Sequence, residues 1–171
     1  MKKIVISIFF LALNLSALTV GQLAPAVTLD GDNGGTVEEQ AWSSKQMLQG
    51  KIHVLLYVDP DEKDTNNDLT TALKLKKFDR NYYGSVAIIN LAATWMPNFA
   101  IEAKLKKKQE LYPDTLYVKD KKSVLVNEWN IADDSSNVLL FNREGKLLYL
   151  FEGRLDESEI SKVIQLIEDY I

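Results

Sequence analysis

The hydrophobic pattern changes period several times along the chain, and each change marks an element. Lys51-Ile52-His53-Val54-Leu55-Leu56-Tyr57-Val58 is an almost wholly apolar run entered through Gly50 and closed by Asp59-Pro60, the pattern of a central strand covered on both faces. Val86 to Leu91 is a second run of this kind. Between them, Leu69, Ala72, Leu73, Leu75 and Phe78 fall at helical spacing over residues 67–78. Strand, helix and strand of these lengths predict a parallel pair joined by a crossover helix. Residues 98–111 predict another helix, with Ile101 and Leu105 on one side and Lys104, Lys106, Lys107 and Lys108 coating the rest. Residues 137–141 and 146–151 are apolar runs joined by Asn142-Arg143-Glu144-Gly145, the mark of an antiparallel hairpin. Gly153 ends it. A closing helix follows, with Asp156 and Glu159 as a capping box and Ile160, Val163, Ile164, Ile167 and Ile171 as the stripe expected to pack on the sheet. Near the start, Asp30-Gly31-Asp32-Asn33-Gly34-Gly35 is turn-forming and makes only a partial match to a calcium loop.

The first residues follow a different rule. Met1-Lys2-Lys3 is cationic, Ile4 to Leu13 is apolar, and Asn14-Leu15-Ser16-Ala17 closes with a small residue, so 1–17 reads as an export signal cut after Ala17. The alternative, an uncleaved anchor, meets the difficulty that a bilayer span takes about 20 apolar residues. Residues 18–171 then form one domain, with no linker or repeat to divide them. The whole chain carries a net charge of −4, and loss of the two signal lysines makes the remainder more acidic. Such a balance argues against nonspecific contact with nucleic acid or anionic membrane. The chain has no cysteine and one histidine, which excludes disulfides, thiolate metal sites, catalytic thiols and multi-histidine centres. No cofactor and no metal are expected.

A strand-helix-strand unit, a helical connection, a hairpin and a closing helix are the elements, in order, of an α/β, thioredoxin-like fold: a mixed central sheet flanked by helices, here with an N-terminal extension. The segments GQLAP (21–25), GKIHVLLYV (50–58), ELYPDTLYVKD (110–120), VNEW (126–129) and DDSSNVLLFNREGK (133–146) resemble the YtfJ family of bacterial periplasmic proteins over essentially the whole chain after the signal. That resemblance implies a periplasmic location and a thioredoxin-like fold. It implies no settled activity.

A redox member of this fold needs a nucleophilic cysteine after the first core strand, at a helix N-terminus that lowers the thiol pKa. Here Asp59-Pro60-Asp61-Glu62-Lys63-Asp64 occupies that place. The fold's cis-proline position corresponds to Ser136, within Ser135-Ser136-Asn137. Thiol-disulfide and peroxidase chemistry are therefore out of reach. What the fold would gather instead is an acidic pole of Asp59, Asp61, Glu62 and Asp64, with Asp68 behind them and Asp133 and Asp134 brought alongside. Acids at a helix start and solvated loop explain such a group; a site for a cation or basic peptide is the sharper reading. The spacing does not complete an EF-hand. His53 is read as a packed histidine, Trp42 and Trp129 as core, and the lysines at 74, 76, 77, 104, 106–108, 119, 121 and 122 as solvated surface. Trp95, at the end of the second strand, is read first as core and second as a partner contact.

Two classes of function follow. One is a noncatalytic binding or accessory module of the periplasm, whose contact surface is Asp59, Asp61, Glu62, Asp64, Trp95, Asp133, Asp134, Ser135, Ser136 and Asn137 and whose partner is another periplasmic protein or peptide. The other is an enzyme using Asp61 or Glu62 as base with Ser135 or Ser136 nearby. A raised carboxylate pKa within residues 59–64 would favour the enzyme.

Overall fold

A computed structural model describes residues 17–171, so the expected signal over residues 1–17 lies, but for Ala17, outside the described residues. The scaffold is a six-stranded sheet. In chain order its strands are β2 (Gly34–Thr36), β4 (Ile52–Val58), β5 (Tyr83–Asn90), β6 (Thr115–Asp120), β7 (Ser136–Phe141) and β8 (Leu147–Glu152), and they lie side by side as β2-β6-β5-β4-β7-β8. A separate two-stranded ribbon pairs β1 (Thr28–Leu29) with β3 (Trp42–Ser43) and runs into the one-turn helix α1 (Ser44–Met47).

The predicted parallel pair is present, with Ile52 opposite Tyr83 and Val58 opposite Ile89, and α2 (Asn67–Lys76) crosses between its strands. The hairpin is also present, β7 being antiparallel to both β4 and β8. Strand β5 begins three residues before the predicted run, because Tyr83-Gly84-Ser85 continues the ladder although its composition is not strand-like. Leu91 falls in a short 3-10 turn after it. Helix α3 occupies Asn98–Leu111 as predicted and buries Ile101 and Leu105.

Both faces of the sheet are covered, which is why β4 and β7 read as unbroken apolar runs. Ile52, Val54, Val138 and Leu140 pack under Leu69 of α2 and under Val163 and Ile167 of α5 (Glu157–Tyr170). Ala87 and Tyr117 meet α3 at Ile101 and Leu105. The opposite face, with Leu55, Tyr57, Val86, Ile88, Val118, Leu139 and Phe141, lies under Leu125 and Trp129 of α4 (Val124–Trp129) and under Trp42 and Leu29 of the ribbon. Trp42 and Trp129 are core residues, as expected.

Several short elements escape the periodicity, among them β6, α4 and β2. Strand β6 has only three apolar residues, Leu116 to Val118, before the buried Lys119 and Asp120, and α4 is only six residues long. Strand β2 grows out of the glycine-rich turn as an edge strand, antiparallel to β6. At Gly34, φ is +138° and a Cβ would lie 1.9 Å from the Lys119 carbonyl oxygen, so the edge can form only with glycine there. Lys119 departs from its expected role: it is buried in β6 and paired with Glu39, with Glu102 a further 3.7 Å contact. Strand alternation turned this lysine inward, and two carboxylates from neighbouring segments meet it.

Helix α5 starts with half of the predicted box. The Asp156 carboxylate accepts the Glu159 N–H at 2.9 Å, whereas the Glu159 side chain accepts the Tyr149 hydroxyl at 2.6 Å instead of reaching back. Its buried stripe is Val163, Ile164 and Ile167; Ile160 is partly buried, and Ile171 lies beyond the helix and is exposed. An Asp156→Ala variant should lose about 1 kcal/mol of stability in urea unfolding. A loss near zero would show that the cap contributes nothing.

Candidate functional site

The site lies where β4, β5 and β6 end. Side chains of a strand alternate between faces, so Leu55 and Tyr57 of β4 share one face with Asp59, the extended residue just beyond it, as do Val86, Ile88 and Asn90 on β5 and Val118 and Asp120 on β6. Asn137, directly opposite Tyr57, and Leu139 occupy the same face of β7. The apolar column under α4 thus ends in a buried polar layer of Tyr57, Asp59, Asn90, Asp120 and Asn137.

Most of this layer is saturated with hydrogen bonds. The Asp120 carboxylate accepts the N–H groups of Lys122 (3.1 Å), Val124 (2.9 Å) and Leu125 (3.0 Å) and the hydroxyl of Tyr57 (3.1 Å), so it anchors the first turn of α4. Burial and the Asp120 charge raise the Tyr57 phenol above its usual range. The Asn90 carbonyl accepts the Ser123 hydroxyl (3.0 Å) and the Ala92 N–H (3.2 Å), and its amide donates to Asp133 (3.1 Å). On the other face, the Asn66 amide donates to the Ser136 hydroxyl and to the Gly153 carbonyl, both at 2.9 Å, and its carbonyl accepts Leu155 N–H at 3.0 Å. These bonds tie β7, β8 and the start of α2 together at the pole.

Asp59 is the exception. It is 1% exposed, yet neither carboxylate oxygen has a hydrogen-bond partner, and the Asn137 side-chain carbonyl is also unpartnered. The Ser135 backbone and the Asn90 amide face the carboxylate without completing a bond of good geometry. Burial, reinforced by the nearby charges of Asp133 and Asp134, pushes the Asp59 carboxyl up to about 6.

In front of this layer is an open depression of about 360 Å³, lined by Asp61, Ala92, Ala93, Thr94, Trp95, Asp133 and Asp134. Trp95 is 88% exposed, which overturns its reading as core: the 3-10 turn Leu91–Ala93 lifts the chain off the sheet before the indole is placed. Among the described residues, none of Asp59, Asp61, Asp133 and Asp134 forms an ion pair with a lysine or arginine.

The expected acidic pole therefore forms in part. Asp59, Asp61, Trp95, Asp133 and Asp134 come together at or behind the depression. Glu62 accepts the Thr65 hydroxyl, Asp64 pairs with Lys63 and Asp68 with Arg154, so these three have partners outside the depression. Ser136 and Asn137 are buried within the network, and Ser135 meets Asp59 through its carbonyl, which accepts the Asp59 N–H at 3.0 Å. No peptide bond among the described residues is cis. No group of three or more His, Asp or Glu able to hold a metal occurs among the described residues.

Asn66, Tyr57, Asn90, Asp120 and Ser123 belong to the site without having been singled out in the sequence. A signal for one of them was available: Asn90 is a polar residue inside the apolar run Val86–Leu91. A second cavity, about 450 Å³, lies at the opposite end of the sheet and includes His53, Lys51 and Arg80. There the His53 ring contacts Gly84 and its Nδ1 lies 3.0 Å from the Lys51 carbonyl, while burial lowers its pKa, in keeping with a packed histidine.

Sheet order, crossover helix and helices on both faces define a protein of thioredoxin-like fold. Solved structures agree. The chain is similar to a peroxiredoxin-like protein from Aquifex aeolicus (TM-score 0.61, 14% identity, 91% of this chain and 89% of that one). It is also similar to the exposed lipoprotein thioredoxin of Streptococcus pneumoniae (TM-score 0.59, 14% identity, 85% and 99%). The family described as "Bacterial protein of unknown function (YtfJ_HI0045)" matches residues 20–170, and the chain belongs to it. Relatives include the Escherichia coli K12 protein called "Uncharacterized protein YtfJ", 25% identical over 86% of this chain and 84% of that protein. An uncharacterized protein of Haemophilus influenzae is 30% identical over 75% and 71%.

Proposed function

We propose that the chain is an exported, noncatalytic binding or accessory module of the periplasm, which contacts a protein partner through the depression between Asp61, Trp95 and the 133–134 segment. The observation that carries this reading is Trp95, a large indole almost fully exposed at the end of the sheet that, in cysteine-containing proteins of this fold, holds the reactive thiol. An exposed aromatic beside a concave polar surface is the composition of an interface anchor. The cationic and apolar residues at the chain's start support export.

The test is crosslinking in intact cells. A photoreactive residue placed at Trp95 should capture a discrete partner, whereas the same group at exposed Leu75, on α2, should not. Equal labelling from both positions, or none from Trp95, would sink the reading.

A second reading, an enzyme working through a carboxylate, draws support from Asp59. A buried carboxyl titrating near 6 suits general acid-base chemistry near neutral pH. Ser136 is poorly placed as its nucleophile, since the hydroxyl is buried and bonded to Asn66. This reading requires a turnover whose pH profile bends near 6 and loses that bend in Asp59→Asn.

A further inference from the structure

The cavity of about 450 Å³ where β4, β5 and β6 begin is separate from the contact surface proposed above. His53, the one histidine of the chain and only 8% exposed, lines it. A carbonyl can only accept, so the 3.0 Å contact with the Lys51 carbonyl oxygen places the ring hydrogen on Nδ1. Burial lowers the ring's pKa, so at pH 7 it is neutral and Nε2 is a bare acceptor. No group among the described residues donates to it. The Cδ2–Nε2 edge lies over Gly84, directly opposite on β5 and also part of the lining, where a Cβ would fall 2.5 Å from Cδ2 and 2.7 Å from Nε2. Gly84 is not at positive φ, so its place is explained by the room the imidazole takes. Strand β6 starts opposite Ser85, which leaves Tyr83 and Gly84 without a strand neighbour on that side of the cavity.

Charges of both signs share the lining: Lys51 and Arg80 on one hand, Glu38 and Asp114 on the other. Asp114 stands 3.6 Å from Arg80, beyond hydrogen-bond length, and Arg80 lies over the Tyr83 ring at 5.1 Å. Glu38 forms no ion pair among the described residues. We infer that this cavity binds a small zwitterion, an α-amino acid or a dipeptide, with Lys51 and Arg80 receiving its carboxylate and Nε2 of His53, Glu38 and Asp114 receiving its ammonium. A lone anion would lie against Glu38 and Asp114, and a lone cation against Lys51 and Arg80. An apolar ligand would strip water from all four charges and return no hydrogen bond. A molecule with both charges answers each of them, and its ammonium supplies the N–H donor that Nε2 lacks. The volume falls within the range of small-molecule sites, about 300–1,000 Å³.

With one histidine in the chain, its imidazole gives a single set of NMR signals, and the Nε2 resonance reports on the site directly. The purified chain is titrated at pH 7 with each of the twenty common amino acids and with Ala-Ala while that resonance is followed. At least one of these probes is expected to move it saturably. The N-acetyl and amide derivatives of the probe that binds each lack one of its two charges and should bind at least about tenfold more weakly. Arg80→Gln and Glu38→Gln, both at exposed positions, should each weaken binding by a similar factor and leave the rest of the spectrum of the free protein unchanged. Binding of Ala-Ala alone assigns the site to peptides and binding of amino acids alone assigns it to free amino acids; either supports the inference. No saturable shift with any probe, an equal shift with sodium acetate, or unchanged affinity in both variants would overturn it.

Discussion

Replacing Asp120 with alanine is expected to cost about 3–5 kcal/mol, enough to leave the chain close to unfolding. The reason is the number of donors that depend on one carboxylate. Three consecutive-turn N–H groups, from Lys122, Val124 and Leu125, and the buried Tyr57 hydroxyl all donate to it, and Asp120 itself is wholly buried. Alanine strands these donors in a place water does not reach, and each stranded buried donor costs on the order of 1–3 kcal/mol. The effect should spread to α4, whose Leu125 and Trp129 cap the apolar column. Tyr57→Phe removes one donor and leaves the other three bonds, so it should cost only about 1 kcal/mol. Chemical denaturation measures both. A loss for Asp120→Ala no larger than that for Tyr57→Phe would show that α4 holds its place without the carboxylate.

Asp59→Asn should act in the opposite direction. A carboxyl raised from 3.8 to about 6 binds its proton more tightly in the folded than in the unfolded chain. Its stabilising contribution is present below the unfolded value, near 4, and is lost as pH rises through 6. At pH 7 the ionised group therefore weakens the fold by up to about 3 kcal/mol. Asparagine has nearly the same shape and no charge, so the variant should be more stable than the wild type by about 1–3 kcal/mol at pH 7 and almost equal to it at pH 4. Unfolding free energies at the two pH values test this directly. A variant less stable at pH 7 than the wild type would mean that the Asp59 charge is well compensated. If this pole is the contact surface proposed above, the stabilised variant should also give a weaker crosslink from position 95, the exchange of stability against function common at binding sites.

The two carboxylates differ in how plainly the chain displays them. Asp59 was legible because it follows the first core strand at Pro60, where the fold directs attention. Asp120 was not, although it organises more of the pole, because β6 has too few apolar positions to mark its end and α4 is too short for a helical period. Helix α3 and the hairpin had boundaries readable from pattern alone, since long periodic segments and a glycine turn are local features. Lys119 and Trp95 illustrate the limit from both sides. A lysine is inward because strand parity and two carboxylates demand it, and a tryptophan is outward because a 3-10 turn precedes it.

Composition and short-range pattern alone set the α/β order of elements, the lack of any thiol and the run of carboxylates after the first core strand. Those are properties of composition and short-range period, which a single chain displays directly. Which carboxylates meet depends on the packing of strands distant in the chain. Asp59, Asn90 and Asp133 come from segments far apart in the chain and converge because β4 and β5 end in register while β7 enters antiparallel beside them. The same packing sets which charges are satisfied: Asp120 finds four donors, Asp64 finds Lys63, and Asp59 finds none. Burial and hydrogen-bond supply are set by neighbours in space, and they turn one of several similar aspartates into the unusual group of this site.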